Sequence, residues 1–180
     1  MTSKKVHLAT SSAELKERAR AAVRESGGTI ILVPVDFSDH SEAALLQASE
    51  FANLMQATLI VLHVVHDPGE MPGYYSKLVK KKRATRMPDV AAQAFEEFMA
   101  DTIKANPEVE TLQQATQLMV IGLPVTRILE VVEHVDPLMV VMGSQGRTGL
   151  KHLVIGSKAA QVVQLCPVPV TIVKKRSAEQ

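Results

Sequence analysis

The sequence is short of rings, thiols and net charge. Tryptophan is absent, aromatic residues make up 3% of the 180 positions, and Cys166 is the one cysteine. With so few rings there is little material for a base-stacking platform, which argues against nucleic acid as the partner. A formal net charge of +1 removes any global attraction to nucleic acid or to a membrane surface. A single thiol cannot close a disulfide within the chain, and that usage suits a reducing compartment. Cys166 stands before Pro167 among apolar neighbours and reads as an inert, partly buried thiol. No run approaches the roughly 20 apolar residues that span a bilayer. Met1–Lys5 leads into polar sequence, not into the apolar core of about 7–15 residues that marks a signal peptide. A cytoplasmic protein without membrane insertion is expected.

Several catalytic signatures are also missing. Gly-x-x-x-x-Gly-Lys-Ser/Thr is absent, which disfavours a motor-type nucleotidase, and no Gly-x-Gly-x-x-Gly follows the first apolar run, which disfavours a dinucleotide fold. No Gly-x-Ser-x-Gly elbow occurs, and the cysteine has no visible base, so nucleophilic catalysis lacks its parts. The six histidines form no cluster. His63 and His66, three apart in an apparent strand, would point to opposite faces, so no metal ligation by side chains is expected.

What is present is ordinary globular material, 46% hydrophobic and 22% charged, enough for one core with a short appendage. Residues 1–28 read as an N-terminal extension. Ser11-Ser12-Ala13-Glu14 is a capping-box pattern, and Leu15, Ala19, Ala22 and Val23 follow at helical spacing until Gly27-Gly28. This thin stripe suits packing on the main domain, residues 29–175, or else a dedicated partner site; residues 176–180 are left as a tail.

Five apolar, β-branched runs then appear: Thr29–Val35, Thr58–Val65, Thr116–Ile121, Leu138–Met142 and Val168–Val173. Helical patterns lie between them. One carries Ala44, Leu45, Ala48, Phe51, Ala52 and Met55, with Ser38 or Asp39 as its cap. A second carries Phe95, Phe98, Met99 and Ile103 after Pro88-Asp89. A third carries Ile128, Leu129 and Val132 with Pro124 near its first turn, and the last runs from Ser157 to about Leu165. Strands alternating with helices predict an α/β fold, a doubly wound five-stranded parallel sheet. The connection 66–87 is long and broken by Pro68, Gly69, Pro72 and Gly73. With Tyr74, Tyr75 and the run Lys80–Arg83 it reads as a solvated loop or, alternatively, a lid or docking patch.

The segment Met142-Gly143-Ser144-Gln145-Gly146-Arg147-Thr148-Gly149, followed by Gly156-Ser157, is the most informative stretch. Glycines between a strand end and a helix start let main chain approach a bulky anion, and the helix start adds unpaired N–H groups. That is phosphate-site chemistry. Tight turns alone would also account for these glycines. Asp36 ends the first strand, and with strand order 3-2-1-4-5 it would face Gly143 across the crevice where the winding reverses. There it would accept hydrogen bonds from a ribose hydroxyl or an amine, or it would merely cap the following helix or its turn.

Taken together, these residues resemble the nucleotide-binding branch of the universal stress protein family. Its pattern of Gly, two residues, Gly, nine residues and Gly-Ser is met by Gly143, Gly146 and Gly156-Ser157. Leu32–Ser38, Leu62-His63-Val64, Gly122-Leu123-Pro124 and Cys166-Pro167-Val168-Pro169-Val170 carry the resemblance through residues 29–175. It implies an adenine nucleotide α-hydrolase-like sheet. Adenine would rest near Pro34, Val35 and the backbone of Val64, and Asp36 would contact the nucleoside. Met142 and Gly143 would line the ribose, and Gly146, Gly156 and Ser157 would hold phosphates that share a magnesium or manganese ion. Arg147 and Lys158 join them on charge grounds, although position 158 is often small and apolar in the family. The resemblance further implies a homodimer through the edge strand Val168–Val173, where Pro169 suits an edge.

The expected function is therefore an ATP-binding (or AMP- or ADP-binding) universal stress protein, a nucleotide-gated regulatory module open to an unknown protein partner. No catalytic residue is assigned, and at most weak ATPase activity is expected. The alternatives are an adenylyl- or phosphoryl-transferring enzyme using Asp36, Asp39 or His40, and a nucleotide-free dimeric scaffold.

Overall fold

Ile30–Val35 is apolar throughout and buried at all six positions, as a strand covered on both faces must be. The computed structural model, which describes residues 6–66, 87–146 and 155–175, builds the chain around this strand. In chain order the elements are β1 (His7–Ala9), α1 (Ser12–Ser26), β2 (Ile30–Val35), α2 (Asp39–Met55), β3 (Thr58–Val65), α3 (Met87–Ala105) and α4 (Glu110–Gln114). There follow β4 (Thr116–Ile121), α5 (Pro124–Val135), β5 (Met139–Gly143), α6 (Ser157–Leu165) and β6 (Val170–Val173). Every neighbouring strand pair is parallel, in the spatial order β1-β4-β3-β2-β5-β6. Counted from β2, the five expected strands keep the order 3-2-1-4-5.

The sheet has six strands, not five. β1 pairs His7, Leu8 and Ala9 with Leu118, Met119 and Val120 of β4. Three residues are too few to carry a readable alternation. Such a strand forms because the rim of β4 offers unpaired main-chain groups. α4 was likewise not expected; it is a single short element with Leu112 as its buried residue.

Two apolar layers cover the sheet. On one face Leu32, Ile60, Leu62 and Val140 pack with Leu15, Ala19 and Ala22 of α1, with Ile128, Val131, Val132 and Val135 of α5, and with Ala159 and Val162 of α6. On the other, Ile31, Val33, Val61 and Val141 pack with Ala44, Leu45 and Ala48 of α2 and with Phe95 and Met99 of α3. Each large aliphatic side chain so buried contributes about 1.5–3 kcal/mol. Strand alternation assigns the two sets, since successive side chains leave opposite faces. Val170–Val173, at the rim, is only half-buried.

Local signals end the helices where the chain must turn. Ser38, not Asp39, caps α2 by accepting the Ser41 N–H at 3.3 Å. Gly27, at φ 63, closes α1, and Pro124 opens α5. The capping box of α1 is displaced: Ser11 Oγ accepts the Glu14 N–H, but the Glu14 carboxylate reaches one residue further back, to the N–H and hydroxyl of Thr10 at 2.7 Å. β6 begins at Val170, one residue past Pro169, whose carbonyl accepts the Val140 N–H at 2.9 Å. No helix among the described residues is long and apolar enough to cross a membrane.

Candidate functional site

β2 and β5 are neighbours, yet α2 leaves toward one face of the sheet and α6 toward the other. A crevice must open where the two connections part. The structure has a cavity of about 370 Å³ there, at the carboxyl ends of β2, β3 and β5. Pro34, Val35, Asp36, Val64, Met142, Gly143, Gly146, Gly156, Ser157 and Lys158 all line it. Arg147 and the connection 67–86 lie outside the described residues.

Each lining position follows from local geometry. The β2–β3 register ends at Val35 opposite His63, while β3 runs on to Val65, so Val64 reaches the cavity without a register partner on β2. Val35 lines the cavity although its side chain belongs to the α2-side core layer. Beyond Val35 the chain turns sharply. Phe37 adopts φ 64, a left-handed conformation that costs a non-glycine residue about 1–3 kcal/mol. Its ring is held by stacking on His63 at 4.1 Å and by Phe95 and Phe98 at 5.8 and 5.4 Å. His63 Nδ1 in turn bonds the Val35 carbonyl at 2.8 Å, which ties the tip of β3 to the tip of β2.

Asp36 serves the turn and the cavity at once. Its Oδ1 accepts the Ser38 hydroxyl at 2.6 Å and the Ser38 N–H at 3.2 Å. Its Oδ2 faces Gly146, where a Cβ would stand 2.5 Å away. The lack of a side chain at 146 therefore lets the carboxylate and the bend meet.

The other two glycines have different reasons. At Gly143 a Cβ would come within 2.8 Å of the His40 carbonyl group, so this glycine lets β5 pass against the start of α2. At Gly156 a Cβ would make ordinary contact with Ser144. Gly156 donates its own N–H to the Ser144 carbonyl at 2.7 Å, so that N–H holds the bend closed. The helix it opens, α6, has no side-chain cap. Ser157 and Lys158 are exposed at its first turn, and Ala160 is the first residue to bond back, to Gly156. An uncapped helix start at a cavity rim, with a lysine beside it, favours an anion.

Of the three acid–base candidates, Asp36 alone lines the cavity. Asp39 pairs with Lys175 at 2.5 Å, and the hydrogen bond and charge of that ammonium hold its carboxyl below the usual range. His40 Nδ1 accepts the Lys175 N–H at 3.5 Å. Both are thereby tied to the end of β6. Among the described residues no group of three histidine, cysteine, aspartate or glutamate side chains is placed to hold a metal.

Sequence reasoning missed one wall. Pro124 and Ile128, on the first turns of α5, line the cavity, and His63, Ser144 and Gln145 border it as well. The Gly122-Leu123-Pro124 turn was a visible signal for that wall, but nothing local says which way α5 leans.

These features define a doubly wound α/β protein with a crevice at the switch point of its sheet. The chain belongs to the universal stress protein family: the family model matches residues 29–174. It is 26% identical to universal stress protein MJ0577 of Methanocaldococcus jannaschii over 163 residues, covering 82% of this chain and 96% of that one. The solved MJ0577 structure superposes with a TM-score of 0.66, covering 83% of this chain and 98% of that one. Universal stress protein YxiE of Bacillus subtilis is 30% identical over 159 residues, with coverages of 80% and 97%. A universal stress protein solved in complex with cAMP shares the fold at a TM-score of 0.53 and 24% identity, with coverages of 82% and 98%. β1 and α1 precede the matched region.

Proposed function

We propose that this chain binds an adenine nucleotide in the β2–β5 crevice, with ATP foremost and AMP or ADP as alternatives. It would act as a nucleotide-gated regulatory module of the stress response. The observation that carries the reading is the pairing of Asp36 and Gly146 across the crevice beside the uncapped start of α6. The residues present fit the ligand. Pro34, Val35 and Val64 line the cavity, so apolar side chains and main-chain hydrogen-bonding groups are both at hand for a base. Asp36, Met142 and Gly143 border the sugar, while Ser157, Lys158 and the α6 amides hold phosphate. Lys158 reaches the cavity rim despite its departure from the small residue usual in the family. A magnesium or manganese ion would be carried by the phosphates and would supply charge neutralisation. Occupancy would change the surface around Gly143–Gly146 and the start of α6, which is what a protein partner would read. We further infer a homodimer through the half-buried edge of β6; a monomer mass in sedimentation at micromolar concentration would exclude it.

Thermal unfolding with ATP and magnesium tests the ligand. At about one hundred times Kd, linkage predicts about 2.7 kcal/mol of added stability, roughly 5–11 °C for a chain of this size. Gly146→Val should remove that shift and leave the unliganded protein folded, because the added atoms meet a movable carboxylate oxygen and not main chain. Equal shifts in both proteins would refute the site. FMN, AMP and cyclic AMP belong in the same screen, because sheet topology alone does not choose among nucleotides. Turnover above ~1 per second would refute the assignment as a binder and favour the enzyme alternative.

A further inference from the structure

A side chain of α5 hydrogen-bonds the segment that precedes the family match. Arg127, on the first turn of α5, is 18% exposed and makes three contacts. Its Nε donates to the Ile121 carbonyl at 2.8 Å, at the end of β4. Its Nη1 donates to Ser12 Oγ at 3.0 Å, at the first turn of α1, and to Glu130 Oε2 at 2.6 Å. Gly122 makes room for this reach: its φ is +145, and a Cβ there would lie 2.5 Å from Arg127 Nε. Arg127 is flanked by the two α5 residues that line the cavity, Pro124 and Ile128. Beneath it, Leu15, Ala19 and Ala22 of α1 share one core layer with Ile128, Val131 and Val132. β1 adds a second attachment, since it pairs with the same strand whose end Arg127 holds.

We propose that β1 and α1 form a built-in brace that sets nucleotide affinity, with Arg127 as the positioning residue that transmits it. The inference rests on the nucleotide reading above. α5 has no side-chain cap, so the turn that carries the cavity wall has no side-chain anchor from the residues just before it. Arg127 supplies that anchor from across the fold. With Ser12 engaged, the guanidinium is held over the β4–α5 turn, and Pro124 and Ile128 keep their place against the bound nucleoside. Without it, the wall samples other positions, and binding bears the cost of ordering it.

The test is calorimetric titration of full-length protein with adenosine, AMP and ATP–magnesium. Ser12→Ala and Arg127→Gln should each weaken all three ligands by a similar factor, roughly three- to tenfold, because the wall faces the nucleoside and not the phosphates. Ser12→Thr, which keeps the hydroxyl, should restore affinity. Slower hydrogen exchange at the amides of residues 125–128 in the wild type than in Ser12→Ala would supply a readout independent of ligand. Unchanged affinity for all three ligands in Ser12→Ala and Arg127→Gln overturns the brace and leaves the nucleotide site standing. A loss confined to ATP also overturns it, since that pattern belongs to phosphate contacts. A wild-type protein that binds none of the three sinks the nucleotide reading, and the brace with it.

Discussion

The two walls of the crevice are built by opposite means. On the β5–α6 side the wall is main chain: Gly146 lies against Asp36, Gly156 bonds Ser144, and α6 begins without a side-chain cap. On the α5 side it is side chain: Pro124 and Ile128 stand where Arg127 and the residues of α1 hold them. A main-chain wall is specified by the residues that compose it. The side-chain wall depends on a contact between positions 115 residues apart. The first is therefore set by residues near one another in the chain, and the second is the part that distant sequence can tune.

The glycines give the sharpest way to break this contrast. Gly143→Val should be the most damaging change, because its Cβ would collide with the main chain of His40, which cannot step aside. A loss of about 2–4 kcal/mol is expected, read as a fall in the thermal midpoint of the unliganded protein. Gly146→Val, three residues on, should barely move that midpoint. If the two variants unfold alike, the division between a fold glycine and a site glycine is wrong.

On the other wall, Gly122→Ala combines an unfavourable φ with a clash on Arg127 and should cost about 1–3 kcal/mol. Denaturant titration would measure it, and the same variant should weaken adenosine. A stability loss with unchanged adenosine affinity would separate the turn from the wall.

The smallest expected effect concerns acid. Burial pushes the Glu130 carboxyl up, but hydrogen bonds from Ser12 and Arg127, with the charges of Arg127 and His134, outweigh it and hold the group below its ordinary range. Since the folded value lies under the ordinary 4.5, the carboxylate's contribution is present above about pH 4.5 and is lost as pH falls through the folded value. Glu130→Gln should flatten that part of the acid limb by less than about 1 kcal/mol. An acid limb that is unchanged by the substitution would remove Glu130 from the brace.

Much of the fold was legible. The runs that became β2 to β6 announced themselves by β-branched, apolar composition, and Ser38, Gly27 and Pro124 marked helix ends by conformational preferences that need no partner. Asp36 was ambiguous from sequence, a nucleoside contact or a turn cap. The structure gives one oxygen to the Ser38 turn and faces the other to Gly146. Gly143 stands in the crevice lining, but its steric reason, the backbone of His40, is invisible in a spacing rule. Lys175, which claims Asp39 and His40, lies 136 and 135 residues from them.

The sequence by itself determined the alternation of strand and helix, the parallel sheet and the glycine-lined bend, because periodicity and backbone freedom act over a few neighbouring residues. Only the tertiary structure decided that three residues before the family match would become a sixth strand, and that α1 would lean on α5. It also decided that an arginine would anchor the second wall. Those outcomes depend on which surfaces remain unpaired once the sheet has closed, and no local pattern encodes that.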